Sequence, residues 1–404
     1  MKSFDTYFPT KLIFGEGTIQ RLGETARSYG RKAMVVTTGN DMRDFGILEK
    51  ALDSLEKAGV SWEVFSEVEQ NPKDYNVDRG VCVYKETGCE MTIGLGGGSA
   101  MDAAKAIAMI ARNGGRVMDY MPGQPRYTEE LTETEPCICV TTTAGTGSEA
   151  TYFAVVTNTV THEKPGLGCP CMMPVASIID PELMLSVPRR VTAQTGVDVF
   201  FHAMEAYLSS VSTPYTEMVS LEAMRIVSEY LPKVLEDPED REARSQMAWA
   251  NTLGGIAIVF AATCGLHAMG HSISGVTDIP HGRALSIAAV AFMEYTYRAD
   301  FKRYARVARI LGADPALSDE EAAGQSPALM KRFLENAGME TCLSSLGVRE
   351  DQIDQIADIA QSSMAFCMSV TLRPLARDDI AAILRMSLFE KPGIPSAPQK
   401  GAAH

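Results

Sequence analysis

A chain of 404 residues is too long for one simple core and suits two domains of ordinary size. Hydrophobic residues make up 46% and charged residues 22%, a globular composition that excludes a disordered chain. The formal net charge of −14 argues against a nucleic-acid or anionic-membrane partner, since both call for clustered Lys and Arg. A globular protein with a small ligand is left.

Residues 1–10 are polar and aromatic, without the apolar segment of a targeting signal. Nine cysteines, an odd number in a long chain, read as reduced thiols in a cytoplasm. Up to about residue 185, β-branched runs alternate with helical stretches. Ala33 to Thr37 reads as a buried strand and turns at Gly39-Asn40-Asp41. A helix from Gly46 to Ala58 follows, then a strand from Ser61 to Phe65 and a helix running to Thr87. Met91 to Leu95 is a third strand, followed by glycines and a helix to Ala111, and Pro136 to Thr141 is a fourth. Strands spaced by helices imply a parallel sheet covered on both faces.

Beyond Asp180-Pro-Glu182 helical patterns take over: Gly196 to Ser209, Pro214 to Leu231, Asp240 to Gly254, Leu266 to Ser274 and Ala284 to Tyr297. The expected division is an α/β dinucleotide-binding domain over 1–185, an all-helical metal-binding domain over 186–390, and a Pro-rich disordered tail over 391–404. The apolar stretch from Leu253 to Met269 holds glycines and His267, and reads as a buried helix rather than a membrane span.

Two loops suggest a phosphate cradle. In Met91-Thr-Ile-Gly-Leu-Gly96-Gly-Gly-Ser99 the glycines let backbone approach a ligand, and first-turn amides face an anion. Ser99 is expected to cap that helix, with Asp102 as its capping-box partner. Thr141 to Thr151 leaves the fourth strand as small and hydroxyl residues, donors without bulk for a pyrophosphate or ribose.

Six histidines occur in the chain, and four fall between 202 and 281. Asp198 and His202 are four apart, as are His267 and His271, so each pair shares a helix face. His281, between Pro280 and Gly282, is expected on a turn before the next helix. Mixed carboxylate and imidazole ligation suits Fe²⁺, Zn²⁺ or a similar ion, in a catalytic rather than a closed structural site. Cys137, Cys139, Cys169 and Cys171 can supply four metal thiolates, but Cys137-Ile-Cys139-Val reads better as a buried strand.

These motifs together resemble the iron-containing alcohol dehydrogenase family. The resemblance rests on Gly96 to Lys105, Thr142 to Glu149, Asp180-Pro-Glu182, Asp198-x3-His202-x2-Glu205 and His267-x3-His271-x9-His281-Gly282, and runs from about Tyr7 to Leu388. It implies a nucleotide-binding α/β domain and a helical domain with a cleft between them, in the architecture shared with dehydroquinate synthase. Asp198, His202, His267 and His281 match the family's metal ligands, and His271 matches a catalytic histidine beside the nicotinamide. Gly97, Gly98, Ser99 and Asp102 match the pyrophosphate region; Thr141, Thr142, Thr146 and Thr151 match the second cofactor loop; Lys164 resembles a cofactor-facing lysine. NAD is expected, with NADP as the alternative, and a small alcohol or aldehyde as substrate. A homodimer or larger homo-oligomer completes the expectation.

Three departures bear on the substrate. Ile258-Val-Phe260 stands where many members carry asparagine, Phe153 where some carry a polar residue, and Thr371-Leu-Arg373 replaces a common Asn-Pro-Arg. Phe153 and Ile258 are therefore expected at the substrate pocket, and Cys367 is expected near its wall. Thr38, Gly39 and Asn40 end the first core strand, where NAD enzymes often place a carboxylate on the ribose. The rival reading is an NAD- and metal-dependent lyase of the dehydroquinate-synthase type.

Overall fold

The computed structural model describes residues 3–121, 124, 126, 127, 130–161 and 163–389. The tail expected to be disordered lies outside them. Six strands form one parallel sheet: β1 Lys11–Phe14, β2 Lys32–Thr38, β3 Ser61–Val68, β4 Met91–Gly96, β5 Cys137–Thr141 and, late in the chain, Ala176–Ile179. Ala154–Val155 (β6) and Gly166–Leu167 (β7) pair antiparallel outside that sheet, so Ala176–Ile179 is β8. The sheet order is β1-β8-β5-β4-β2-β3.

The four expected strands form its centre and one edge, and the structure adds β1 and β8. The helices of this half are α1 Leu22–Arg27, α2 Asp41–Asp44, α3 Ile47–Lys57, α4 Asp74–Thr87 and α5 Gly98–Asn113. They cover both faces. β5 shows the consequence: Cys137 and Cys139 join one core cluster with α5, while Ile138 and Val140 join the opposite one. The two thiols are strand side chains under a helix, as small hydrophobes.

The second half is helical: α6 Arg189–Tyr207, α7 Pro214–Glu236, α8 Arg241–Ala261, α9 Gly265–Thr277, α10 His281–Thr296, α11 Phe301–Ile310, α12 Asp319–Asn336, α13 Ile353–Ser369 and α14 Arg377–Met386. Residues 196–207 of α6 are buried without interruption, the mark of a helix inside a bundle.

Two expectations need correction. The run from Leu253 to Met269 is two helices, α8 and α9, bent by 108° across Ala262-Thr263-Cys264. No breaker stands there; the turn is held from outside, because the Cys264 amide donates to Glu205 Oε1 at 2.9 Å. His281 is the first residue of α10, with Pro280 ahead of it, rather than part of a preceding turn. Among the described residues no single helix is long and apolar enough to cross a membrane.

Strand register places the two loops expected to cradle a phosphate side by side. Gly96 pairs with Thr141, and the Thr142 amide donates to the Gly96 carbonyl at 3.0 Å. Both loops therefore leave the carboxyl edge of the sheet together, where an open α/β sheet binds its ligand.

Candidate functional site

α6 carries Asp198, His202 and Glu205 at i, i+4 and i+7, on one helix face. α9 brings His267 and His271 to that face, and α10 brings His281. The ring centroids of His267 lie 4.6 Å from His202 and 5.2 Å from His281, and His271 lies 4.8 Å from His281. Asp198 Oδ1 sits 3.6 Å from His267 Nε2 and 3.9 Å from His281 Nε2. Ligand atoms of Asp198, His267 and His281 all fall within 4.8 Å of one another, so these three can hold a metal ion. His202 is adjacent: its Nδ1 lies 3.9 Å from Asp198 Oδ1 and 3.3 Å from the Gly145 carbonyl.

Asp198 Oδ1 and His267 Nε2 are buried and have no hydrogen-bond partner in the protein. A buried polar atom left unpaired costs roughly 1–3 kcal/mol, and two facing each other call for something between them. A divalent ion fits: the donors are oxygen and imidazole nitrogen, and one is anionic.

Glu205 is the residue that sequence reasoning left without a role. Fully buried, its Oε2 bonds His267 Nδ1, and its Oε1 accepts from the amides of Cys264 at 2.9 Å and His267 at 3.2 Å. Holding Nδ1 turns Nε2 toward Asp198. Its position seven residues after Asp198 on a buried helix was the available signal.

Charge sorts the histidines. Burial disfavours the His267 cation, but the Glu205 and Asp198 carboxylates outweigh it and raise its pKa to about 9. Burial, then His267 and Lys164, press His271 down to about 3. Burial with the neighbouring histidines holds His281 well below its ordinary value, and burial lowers His202. His271 is thus a neutral imidazole whose Nδ1 meets the Lys164 carbonyl at 2.9 Å, which puts the free lone pair on Nε2.

Beside the sheet, α5 begins at Gly98 with Gly97 as its cap residue, and no side chain takes the first-turn amides. The expected Ser99–Asp102 capping box is absent. Ser99 Oγ instead accepts from the Asn71 amide at 3.3 Å. Asp102 is captured across the site by Ser148 Oγ at 2.5 Å and the Val155 amide at 2.9 Å. The free amides remain available to an anion.

Gly97 and Gly98 answer to the second loop. A Cβ on Gly98 would lie 2.5 Å from Thr146, and one on Gly97 would lie 3.0 Å from Thr143. Buried Lys105 ties that loop to α5, donating to the Ser148 and Thr151 carbonyls at 3.1 and 3.2 Å and to that of Phe153. Lys164 Nζ donates to Asn71 Oδ1 at 2.9 Å and Ser274 Oγ at 3.1 Å, and burial lowers its pKa to about 8.

One cleft of about 680 Å³ takes in both groups of residues. Its walls include Gly98, Ser99, Asp102, Thr146, Thr151 and Lys164 together with Asp198, His202, His267, His271 and His281. Phe153, Ile258 and Cys367 line it as well. Gly97, Thr141 and Thr142 do not line it, and the two threonines are buried. Thr38, Gly39 and Asn40 end β2, one strand beyond β4 and outside the cleft wall.

Residues 9–181 match the family described as iron-containing alcohol dehydrogenase, and residues 192–388 match the C-terminal part of that family. The chain is similar to the NAD-dependent methanol dehydrogenase of Bacillus methanolicus, 32% identical over 383 residues that cover 95% of this chain and 99% of that one. It is 33% identical to a 1,3-propanediol dehydrogenase of Klebsiella pneumoniae over 390 residues, covering 96% and 99%. A solved archaeal halo-thermophilic alcohol dehydrogenase from a Red Sea brine pool superimposes with a TM-score of 0.92 at 36% identity, covering 96% of this chain and all of that one. These three are dehydrogenases, which disfavours the lyase alternative. The buried carboxylate–histidine cluster, the bare helix start that shares its cleft and matches spanning both halves lead to one conclusion: the chain belongs to the iron-containing alcohol dehydrogenase family.

Proposed function

We propose that this chain is a metal- and nicotinamide-dependent alcohol dehydrogenase, moving hydride between the cofactor and a small alcohol, and acting as an aldehyde reductase in reverse. The observation that carries this reading is the pair of orphaned atoms, Asp198 Oδ1 and His267 Nε2, in the same cleft as the bare amides of α5. A divalent ion, Fe²⁺ or Zn²⁺, held by Asp198, His202, His267 and His281, supplies Lewis acidity toward the substrate oxygen. The remaining work belongs to the chain. The first turn of α5 and the loop from Thr141 to Thr151 bind the pyrophosphate, and Lys164 faces the cofactor. His271, neutral with its lone pair at Nε2, relays the proton without holding it. Phe153, Ile258 and Cys367 exclude water around the substrate carbon.

NAD is favoured over NADP, because no Lys or Arg follows β2 before Arg43 to reward a ribose phosphate. All nine thiols are free, which suits a reducing cytoplasm. The test follows NADH formation with an alcohol panel, and oxidation with the matching aldehydes, on chelated protein with and without added Fe²⁺ or Zn²⁺. Turnover that appears only with metal supports the reading. Equal turnover in stripped protein under continuous chelation overturns it, and a lyase would produce no net NADH.

A further inference from the structure

Cys169 and Cys171 stand apart from the chemistry described so far. Cys169 lies on the cleft wall just after β7, and both thiols are half-buried rather than sealed in the core. Their sulfurs sit 2.9 Å apart, under an ångström from the ~2.05 Å of a disulfide bond. The strap that carries them rests on the tilted ring pair Tyr152–Phe153, 4.3 Å between centroids, where a Cβ on Gly168 would lie 2.8 Å from the Tyr152 ring. A change in the pair therefore reaches the substrate wall at Phe153.

We propose that Cys169 and Cys171 form a reversible dithiol–disulfide site on the cleft wall, oxidised by hydrogen peroxide. The Cys169 thiolate attacks one peroxide oxygen, the O–O bond breaks, and the departing hydroxide takes a proton to become water. Cys169 is then a sulfenic acid. The Cys171 sulfur attacks the Cys169 sulfur, an S–S bond forms, the S–O bond breaks, and a second water leaves with the Cys171 proton. Two thiols lose two electrons and two protons, and one peroxide becomes two waters.

The roles follow from the surroundings. A hydrogen bond from Cys171 outweighs burial and, with the Met172 and Cys171 amides, brings the Cys169 thiol down to about 7. The same bond, with burial, pushes Cys171 up. Cys169 is thus the nucleophile and Cys171 the resolving thiol. With one proline between them the closed ring is small and strained, which keeps the bond easy to reduce.

The test titrates hydrogen peroxide into the full chain, blocks remaining thiols with iodoacetamide, and reads the peptide holding both cysteines by mass spectrometry. The expected result is loss of two hydrogens and of both alkylation sites, restored by dithiothreitol. A second arm uses Cys171→Ser, in which Cys169 should be trapped as a sulfenic acid by dimedone. Both cysteines still alkylated at a peroxide dose that oxidises exposed Cys82 would overturn the proposal, as would Cys171→Ser without a dimedone adduct at Cys169. This thiol readout stands whether or not the dehydrogenase reading does. The activity arm rests on that reading: wild-type turnover should fall several-fold with the disulfide and recover on reduction, and unchanged turnover would remove its effect on the cleft.

Discussion

Glu205 sits behind His267 rather than on the cleft wall, yet it fixes the direction of the imbalance that a metal would answer. Its two oxygens hold the His267 ring and the turn entering α9 at once. Carboxylates behind a ligating histidine typically contribute about 10–100-fold to metal affinity. Glu205→Ala should therefore weaken Zn²⁺ binding by about that factor in a chelator competition, and Glu205→Gln, which keeps one acceptor, by less. His267→Ala should lose the ion and the turnover together. His271→Ala should keep the ion and lose rate, and metal analysis separates the two cases. Cofactor choice is also a matter of single side chains. Thr38 is half-buried and Asn40 exposed at the end of β2. Thr38→Asp should suppress NADPH use much more than NADH use, through repulsion of the 2′-phosphate. Equal loss in kcat/KM for both cofactors would show that this turn does not meet the ribose.

Among elements, the contact that sets the cleft is that of α8 on the loop from Thr141 to Thr151. Gly147 takes φ 61°, and its carbonyl lies where a Cβ on Gly255 would approach to 2.4 Å. A backbone oxygen cannot rotate away as a side chain does. Gly255→Ala should cost about 1–3 kcal/mol of stability and raise the cofactor KM by displacing the loop. Gly324→Ala is the control: it lies exposed in α12 with nothing within 4 Å of its Cβ, and should be neutral or slightly stabilising in the same thermal unfolding series. If both variants melt alike, the loop is not seated by this contact.

The two halves of the molecule meet through a buried carboxyl. Glu149 Oε1 accepts from Asn251 Nδ2 at 2.8 Å and Thr252 Oγ1 at 2.9 Å, while Asn251 Oδ1 accepts from the Gly147 amide at 2.9 Å. Burial raises the Glu149 pKa from 4.5 to about 7, against the pull of these donors and Lys105. The folded state thus holds the proton more tightly than the unfolded chain. Its contribution to stability is complete below about pH 4.5 and is lost as pH rises through about 7, on the order of 3 kcal/mol across that window. Glu149→Gln cannot titrate, so the difference in Tm between pH 5 and pH 8 should shrink in this variant. An unchanged difference would show that other groups set the pH dependence.

Local pattern was enough for much of this molecule. Buried β-branched runs at β2, β4 and β5 announce a covered parallel sheet, because such strands touch apolar neighbours on both faces. Asp198, His202, His267, His271 and His281 stand out as a group because imidazoles in apolar surroundings need partners, and the family resemblance is what sets His271 apart from the other four. What the pattern missed depends on contacts distant in the chain. β1 and β8, four residues each, become strands by pairing with each other and, through β8, with β5. The apolar run through Ala262 bends sharply where Glu205, 59 residues earlier, takes the Cys264 amide. Asp102 leaves its own helix start because Ser148 and Val155, 46 and 53 residues away, offer it better-placed donors. Spacing along a chain reports which side chains share a face; which groups meet across faces is settled when buried donors and acceptors find partners on folding.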